Sequence, residues 1–289
     1  MPEGDTIFRT ARSLRQALAG EEVTDVVTTV AQVRRLGPAR LIGQTVRDVE
    51  SRGKHLLLWF APSGLALHSH MRMSGSWHVY RQGERWRKPR HLARFELHVA
   101  AWVAVCFSAP VIELLSAEQV ARHRALAELG PDALDEEPDL VEARRRLDAR
   151  QDWTIGEALL DQRMLAGIGN VFKNEVLFIH RLDPWRPVRD IDPQTRDAVL
   201  DTAVRLMRAS ATGPTARRVT TGAPASGRGD LYVYGRERRP CPRCQRPIAV
   251  ARQGEQARLT YWCRSCQGPG PLAGRERARR PATGGTADA

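Results

Sequence analysis

The chain begins with apolar residues at a helical period and continues with several short runs of strand character. Apolar residues from Ile7 to Leu18 recur at helical spacing, and Gly20 follows them, which predicts a helix that ends there. Apolar runs between turn residues then predict strands at Glu22–Val30, Thr45–Glu50, His55–Phe60, Leu65–His68, Ser76–Tyr80 and Arg94–Phe107. So many short strands behind one helix predict a two-layer β-sandwich over residues 1–116.

A helical region follows the predicted sandwich. After Ser116 the apolar positions recur at a helical period with prolines between the segments, which predicts a helical domain over residues 117–208. Residues 209–240 are rich in Gly, Ser, Thr, Pro and Arg, as is typical of a connector, and residues 268–289 have the composition of a disordered basic tail. With a cysteine-containing segment at 241–267, the predicted fold class is multidomain α+β.

The net charge is concentrated at one end of the chain. The 289 residues carry a formal charge of +12, yet residues 1–204 hold 28 basic and 28 acidic side chains, whereas residues 205–289 hold 17 and 5. Because neutralising phosphates releases condensed counterions, such a segment favours a polyanion and predicts nucleic acid as the partner. A solvated basic tail is the alternative for part of this excess.

Hydropathy and cysteine usage predict the cellular compartment. No run of about 18 apolar residues occurs, and the start MPEGDTIFRT carries acids in place of a basic region followed by an apolar one. We therefore expect no membrane span and no export. The small number of cysteines, most of them in two close pairs, indicates a metal site in a reducing compartment more than a disulfide framework. We expect a cytoplasmic protein.

Two cysteine pairs near the end of the chain have the spacing of a metal site. They form two C-x2-C motifs separated by 18 residues, at Cys241, Cys244, Cys263 and Cys266. Four thiolates at this spacing predict one tetrahedral, structural zinc ion; two disulfides or free thiols are the alternatives. Between the pairs, Ile248–Arg252 and Arg258–Trp262 read as two strands around Gly254, so we expect a β-hairpin zinc finger. The fifth cysteine, Cys106, lies in an apolar run and is expected in the core.

A glycine-rich turn lies between two predicted helices of the helical region. An amphipathic helix is predicted to end near Leu165, the Ala166–Gly169 stretch can turn tightly, and Asn170 is predicted to cap the next helix. A turn of this kind exposes backbone N–H groups at a helix N-terminus and can bind a phosphate. An ordinary helical hairpin is the alternative.

The first four residues, Met1-Pro2-Glu3-Gly4, suggest covalent chemistry. Removal of Met1 would leave Pro2 with a free secondary amine, whose pKa near 8 leaves it partly unprotonated at neutral pH. Such an amine can attack a carbonyl-like carbon and form an iminium, and Glu3 beside it could serve as a general acid. A solvated chain terminus is the alternative.

These motifs, in this order, resemble the formamidopyrimidine-DNA glycosylase and endonuclease VIII family. The resemblance rests on four stretches, which are MPEGDTI at the start, Ser-Arg-Gly-Lys54-His-Leu-Leu, LLDQRMLAGIGNVFKNE, and the finger ending in YWCRSCQ. It covers residues 1–267 and is strongest toward the endonuclease VIII branch, particularly the second actinobacterial paralogue. The resemblance implies an N-terminal β-sandwich, a helix–two-turns–helix domain and a zinc finger, with DNA bound in the cleft between the lobes.

The resemblance also implies roles for individual residues. Pro2 would be the nucleophile at C1′ of the damaged nucleotide, and Glu3 would be the acid that helps to open the sugar. Lys54 matches the catalytic lysine that contacts DNA phosphate. Asn170 and Arg258 match the pair that binds the phosphate beside the lesion.

One loop and one missing motif indicate which damaged base is the substrate. The stretch His70–Gly75 aligns with the void-filling loop, in which Met73 could intercalate and Arg72 could bond to the orphaned base; a simple strand turn is the alternative. The Arg-x-Phe wedge of the formamidopyrimidine branch is lacking in Phe107–Leu115, which favours oxidised pyrimidines. The Met73-Ser74-Gly75 sequence instead resembles the purine branch, so an 8-oxoguanine type of glycosylase stays open.

Together these features predict a bifunctional DNA glycosylase and AP lyase of base excision repair. An iminium at Pro2 would acidify the 2′ proton, so β-elimination and then δ-elimination would cleave the strand. We expect damaged DNA as the partner, one structural Zn²⁺, and a bacterial, nucleoid-associated protein that works as a monomer. The alternatives are a non-catalytic damaged-DNA binding protein and an RNA-associated or ribosome-associated helical-hairpin protein.

Overall fold

The computed structural model describes residues 2–214, 218, 220–221 and 230–271. Most of the predicted tail and part of the predicted connector therefore lie outside the described residues. Within them, no helix is both long and apolar enough to cross a lipid bilayer.

The N-terminal part is a β-sheet domain of two four-stranded antiparallel sheets. The first sheet contains, in spatial order, β1 (Val23–Thr28), β6 (Ala93–Val99), β7 (Trp102–Phe107) and β5 (Ser76–Arg81). The second contains β2 (Thr45–Arg52), β3 (His55–Ala61), β4 (Ala66–His70) and β8 (Val111–Leu115). Side chains of both sheets, among them Phe60 and Phe95, enter one buried cluster. Burial of this shared apolar face is what holds the two sheets together.

One predicted strand was wrong in extent. The run Arg94–Phe107 is two strands, β6 and β7, which form a hairpin around Ala100 and Ala101. Its turn contains neither Gly nor Pro, so the apolar run looks continuous in the sequence. Strand β8 was also absent from the predicted elements.

Two helices flank the first strands. Helix α1 (Gly4–Leu18) buries Ile7, Leu14 and Leu18 against the sheets, contacting β2, and it also touches a helix of the second domain. Helix α2 (Ala31–Leu36) is short and ends at Gly37, which adopts the left-handed conformation. The predicted helix over Ile7–Leu18 therefore begins earlier, at Gly4, and α1 bridges the two domains.

The helices that follow Ser116 divide between the two domains. Helices α3 (Ala117–Arg122) and α4 (Arg124–Ala127) place Val120 and Leu126 against the outer face of the second sheet. The other helices of this region surround a separate buried cluster; they are α5 (Leu140–Asp148), α6 (Ile155–Ala158), α7 (Asn170–Ile179) and α8 (Pro193–Thr212). Helices α3 and α4 thus belong to the β-sheet domain and cover the outer face of its second sheet.

The predicted amphipathic helix ending near Leu165 was wrong. Helix α6 ends at Ala158, and residues 159–169 form turns and irregular backbone. Met164, Leu165 and Ile168 are nevertheless fully buried, because the turns pass through the helical core. Because apolar side chains on a buried irregular segment can also recur every three or four residues, the sequence pattern predicted a helix here.

A small β-hairpin element packs on α7 at the end of the described chain. It consists of β9 (Ala249–Gln253), β10 (Arg258–Trp262) and a short helix, α9 (Arg264–Gln267). Both strands agree with the predicted hairpin. Phe178 of α7 joins Val233, Ile248 and two of the cysteines in one buried cluster.

A buried carboxylate, Glu175 of α7, holds the chain segment that leads into the hairpin element. Its Oε2 accepts a hydrogen bond from the backbone N–H of Tyr232 at 2.7 Å, and its Oε1 accepts from those of Val233 and Tyr234 at 2.9 Å. The Thr220 hydroxyl also donates to this carboxylate. Four donors on one fully buried side chain make Glu175 the anchor of this segment.

Replacing this anchor tests its contribution. We expect Glu175→Ala to lower the free energy of unfolding by about 3 kcal/mol or more, because it leaves several buried N–H groups without an acceptor. Urea unfolding followed by circular dichroism measures the change. The exposed Glu118→Ala serves as the control and should change the free energy by less than about 0.5 kcal/mol. Equal effects of the two substitutions would contradict the anchoring role.

Candidate active site

Glu3 occupies the N-terminus of helix α7. Its carboxylate is fully buried and accepts hydrogen bonds from the backbone N–H of Val171 at 2.8 Å and of Phe172 at 3.4 Å. A Cβ on Gly169 would overlap this carboxyl group, so only glycine leaves room for it. The free N–H groups and positive end of the helix dipole favour an acidic side chain here.

The predicted helix cap at Asn170 was wrong. The N-cap residue is Gly169, and Asn170 is the first residue inside the helix. The cap is supplied by Glu3, a residue distant in sequence, and this leaves the Asn170 side chain free to bond elsewhere.

Burial and charge act in opposite directions on Glu3. Burial raises the pKa of its carboxyl group, while the positive charges of Arg218 and Lys54 and the Val171 N–H act to lower it. The raised pKa keeps a larger protonated fraction near neutral pH than an exposed glutamate would have. Glu3 can therefore hold a proton. Once the proton has left, the Val171 N–H and the charges of Arg218 and Lys54 stabilise the carboxylate.

Lys54 lies at the tip of the β2–β3 hairpin and points to the same turn. Its Nζ donates to the carbonyl oxygen of Ile168 at 2.5 Å. Burial, aided by the charge of Arg258 and opposed by that of Glu3, lowers the pKa of Lys54 to about 8. The lysine thus stays mostly protonated at pH 7 but loses its charge readily.

Asp132 fixes this hairpin tip against the second domain. Its Oδ2 accepts from the backbone N–H of Gly53 at 2.5 Å, and Oδ1 accepts from that of Leu134 at 3.0 Å. Gly53 has φ +57° and lies against Ala166, which requires a residue without a side chain. Sequence reasoning missed Asp132, because it belongs to an acid-rich stretch that carries no recognisable spacing.

Two histidines next to Lys54 carry no positive charge at neutral pH. Burial and the neighbouring histidines lower the pKa of His55 to about 2. Burial and the charge of Lys54 lower the pKa of His70 to about 4. These two histidines therefore add no positive charge to that of Lys54.

An ion pair missed by the sequence analysis joins the start of α1 to Arg218. The guanidinium donates to both carboxylate oxygens of Asp5, at 2.6 and 2.7 Å, and Ser210 of α8 donates to Asp5 at 2.7 Å. Burial acts to raise the pKa of Asp5, but the hydrogen bonds and charge of Arg218 lower it overall. The guanidinium also lies 5.4 Å from the centre of the Phe172 ring. No local sequence motif indicates this pairing.

Strand β10 of the hairpin element is fastened to α7 by polar contacts. Asn170 Nδ2 donates to the carbonyl oxygen of Leu259 at 2.7 Å, and Asn174 Oδ1 accepts from the Tyr261 N–H at 2.8 Å. The first of these bonds lies next to Arg258 and places that residue beside the Lys54 end of the site. Asn170 and Arg258 thus lie near Glu3 and Lys54, and half-buried Pro2 lies next to Glu3 in the chain.

A fully buried lysine, Lys173, lies behind this contact. Its Nζ donates to Thr260 Oγ1 at 2.6 Å, and Thr260 in turn donates to Gln253 at 2.8 Å. Burial lowers the pKa of Lys173 to about 7. This residue was not singled out from the sequence, where it looks like an ordinary helix-surface charge.

The loop between β4 and β5 faces the hairpin element. Met73 is 63% exposed, and its Sδ lies 3.9 Å from Nη1 of Arg258. Arg72 is exposed with φ +44°, a left-handed conformation that turns the chain sharply. Both residues are thus exposed on a loop that reaches Arg258.

Four cysteines lie together beneath the β9–β10 hairpin. The sulfur atoms of Cys241 and Cys266 are 3.9 Å apart, and those of Cys244 and Cys263 are 3.4 Å apart. All four cysteines are free, and the four sulfurs lie within 4.8 Å of one another. A disulfide requires about 2.05 Å, whereas thiolates around one Zn²⁺, at about 2.3 Å each, lie nearly 4 Å apart. The cluster fits a zinc finger.

Comparison with known proteins agrees with this arrangement. Residues 1–110 match the formamidopyrimidine-DNA glycosylase N-terminal domain, and residues 129–219 match the formamidopyrimidine-DNA glycosylase H2TH domain. The chain is 44% identical to probable endonuclease 8 2 of Streptomyces coelicolor, over 97% of this chain and 99% of that protein. It is 38% identical to the DNA-(apurinic or apyrimidinic site) lyase Nei2 of Mycolicibacterium smegmatis, over 92% of this chain and 99% of that protein.

The fold is shared with a solved structure. The chain is similar to Lactococcus lactis Fpg (MutM), determined in complex with DNA containing N7-benzyl-Fapy-dG, with a TM-score of 0.76 and 22% identity. The match covers 92% of this chain and 99% of that one. Two family models and relatives aligned over almost their whole length show that the chain belongs to the formamidopyrimidine-DNA glycosylase and endonuclease 8 family, with the second actinobacterial endonuclease 8 proteins among its relatives.

Proposed function

We propose that this protein is a bifunctional DNA glycosylase and AP lyase of base excision repair. The observation that carries the proposal is the placement of Glu3, next to Pro2, at the N-terminus of α7 with Lys54 on the same turn. The names of the similar proteins, endonuclease 8 and AP lyase, support it. The proposed division of labour assigns catalysis to residues 1–116 and DNA binding to residues 117–208, with a connector at 209–240, a finger at 241–267 and a tail at 268–289.

In the proposed reaction, Pro2 acts as the nucleophile after removal of Met1. Its amine nitrogen bonds to C1′ of the damaged nucleotide while the bond from C1′ to the base breaks, and the base leaves with a proton. Opening of the sugar ring produces an iminium, whose positive charge acidifies the C2′ proton. Loss of that proton breaks the C3′–O bond, and a further elimination releases the sugar from its other phosphate.

Glu3 fits the role of the acid in this sequence. Burial raises the pKa of its carboxyl group, so that it can hold the proton that the opening sugar requires. After transfer, the N–H groups of Val171 and Phe172 stabilise the carboxylate that remains. The same site therefore supports both protonation states.

Three cationic or polar groups fit phosphate binding on either side of the lesion. Lys54, mostly protonated at pH 7, lies where it can contact a phosphate and assist the elimination. Asn170 and Arg258 lie across from it, at the contact between α7 and β10. Since a base must leave the helix before its C1′ is accessible, these contacts would offset the few kcal/mol of base flipping.

The exposed loop residues complete the proposed DNA contacts. Met73 is unbranched and exposed, which suits insertion into the gap left by the flipped nucleotide. Arg72 beside it can donate hydrogen bonds to the orphaned base. The absence of an Arg-x-Phe wedge in Phe107–Leu115 favours oxidised pyrimidines as the substrate, and the Met73-Ser74-Gly75 sequence makes 8-oxoguanine the second candidate.

The remaining proposals concern the metal and the setting. We assign one structural Zn²⁺ to Cys241, Cys244, Cys263 and Cys266, where it would hold β10 and therefore Arg258 in position. All proposed catalytic groups come from one chain, which is consistent with a monomer acting on damaged DNA. With chromosomal DNA as its substrate, the protein would work in the bacterial cytoplasm at the nucleoid.

Trapping of the intermediate tests the proposed function. Borohydride reduction in the presence of an abasic-site duplex is expected to give a covalent protein–DNA adduct, because it reduces an iminium to a stable amine. Mass spectrometry of tryptic peptides should locate the adduct on Pro2. An adduct on Lys54 would contradict the proposed nucleophile. DNA binding without any adduct would support the non-catalytic binding protein instead.

The acid role of Glu3 predicts unequal losses in the two activities. We expect Glu3→Gln, which keeps the shape and one acceptor for the α7 N–H groups, to reduce base excision by at least about 100-fold. Cleavage of a preformed abasic site should fall less, because the acid is needed most while the base departs. Single-turnover assays measure both rates, with the exposed Glu22→Gln as the control. Equal losses would argue against this role.

Loss of one thiolate tests the metal assignment. We expect Cys244→Ser to abolish the thiolate-to-metal absorption of the Co²⁺-substituted protein. It should also weaken DNA binding by at least about tenfold, because strand β10 then no longer holds Arg258. Fluorescence anisotropy with a labelled duplex measures the affinity, and Cys106→Ala, in buried strand β7, is the matched control. A Cys244→Ser variant with unchanged absorption would disprove the four-thiolate site.

A further inference from the structure

A second cluster of metal-ligating side chains lies on the outer face of the second sheet. Four histidine rings follow one another, with ring centres 4.7 Å apart for His70 and His55, 5.1 Å for His55 and His68, and 4.9 Å for His68 and His123. Glu113 lies at the far end of this row, away from Lys54. None of these residues takes part in the chemistry proposed above.

Strand register explains why these residues meet. His68 of β4 lies directly opposite Glu113 of β8, and His70 lies opposite His55 of β3. Because alternate residues of a strand point to one face, His68 and His70 share the outer face. His123, between α3 and α4, covers Glu113 from above the sheet. Three separate parts of the chain thus contribute donors to one place.

The donor atoms have the separations of metal ligands. His68 Nδ1 lies 2.8 Å from Glu113 Oε2, and His123 Nε2 lies 3.3 Å from the same oxygen. Ligand atoms of these three residues lie within 4.8 Å of one another. Around a tetrahedral Zn²⁺ with bonds of about 2.0–2.1 Å, neighbouring ligand atoms are about 3.3 Å apart. The His123–Glu113 distance equals this value, and the His68–Glu113 distance is about half an ångström shorter than it.

The surroundings also match those of a ligating histidine. The second ring nitrogen of His68, Nε2, lies 2.9 Å from His55 Nδ1, so a hydrogen bond can fix the orientation of the ring. His68 is 1% exposed, whereas the Glu113 and His123 side chains are each 23% exposed. An ion would therefore be held from inside and reached from solvent.

We propose that His68, Glu113 and His123 form a second metal site, which binds Zn²⁺ or another divalent transition ion that prefers imidazole and carboxylate ligands. Two imidazoles and one carboxylate are a ligand set that Zn²⁺ favours, and they leave a fourth position for water. The ion would join the α3–α4 corner to β4 and β8. Through His55 it would also stiffen the strand that follows Lys54. This proposal does not depend on the proposed glycosylase activity.

Metal content measures the proposal directly. After passage over a chelating resin, the full-length protein should retain two equivalents of Zn²⁺ by inductively coupled plasma mass spectrometry. Glu113→Gln and His123→Gln should each retain one equivalent, that of the cysteine site. Cys244→Ser should also retain one, that of the histidine site. His98→Gln, in the opposite sheet, is the matched control and should retain two.

A second measurement needs no variant. Titration of the metal-free wild-type protein with Co²⁺ should show one equivalent with intense thiolate charge-transfer absorption and a second with only weak ligand-field bands. Retention of a single zinc equivalent by the wild-type protein, together with a Co²⁺ titration that ends at one equivalent, would overturn the proposal. Glu113 would then simply accept hydrogen bonds from His68 and His123. Two equivalents in Glu113→Gln and His123→Gln would overturn it as well.

Discussion

The insertion of the Glu3 carboxylate into the N-terminus of α7 is the contact on which the rest of the structure depends. A buried carboxyl group needs hydrogen-bond donors, and the start of a helix offers N–H groups that no residue of that helix can satisfy. The hydrogen bonds between Glu3 and these N–H groups satisfy both, and they join the first residues of the chain to a helix about 170 positions away. It also explains Gly169, since any side chain there would displace the carboxyl group.

Further contacts hold the surrounding elements to the same point. The Gly4 N–H donates to the Gly167 carbonyl at 2.9 Å, and Asp132 fixes the hairpin that carries Lys54. Strand β10 reaches α7 through Asn170. Such contacts are directional, unlike apolar packing, so they fix positions to a fraction of an ångström. Groups from four separate parts of the chain are thereby held close to one another.

The charge balance within the cleft follows from these positions. The charges of Lys54 and Arg218 act on Glu3, and those of Arg218 and Arg258 act on Lys54. Asp5 neutralises part of the positive charge of Arg218. The remaining excess of cations favours an anionic polymer at the mouth of the cleft. Burial lowers the pKa of Lys54 and raises that of Glu3, so both pKa values lie closer to neutral pH than those of exposed side chains.

The sequence by itself determined those features that depend on the order of neighbouring residues. The apolar period predicted α1 and most of the strands, and cysteine spacing predicted the four-cysteine cluster, because these features depend on residues near one another in the chain. The motifs also named Glu3, Lys54, Asn170 and Arg258, which the structure brings together.

Tertiary structure alone decided which residue caps α7, what holds the β2–β3 hairpin, and that Asp5 pairs with Arg218, 213 positions away. It also aligned His68 with Glu113. These partners meet through strand register and helix packing, and the free energy of a buried polar contact depends on the groups around it, which no local pattern records.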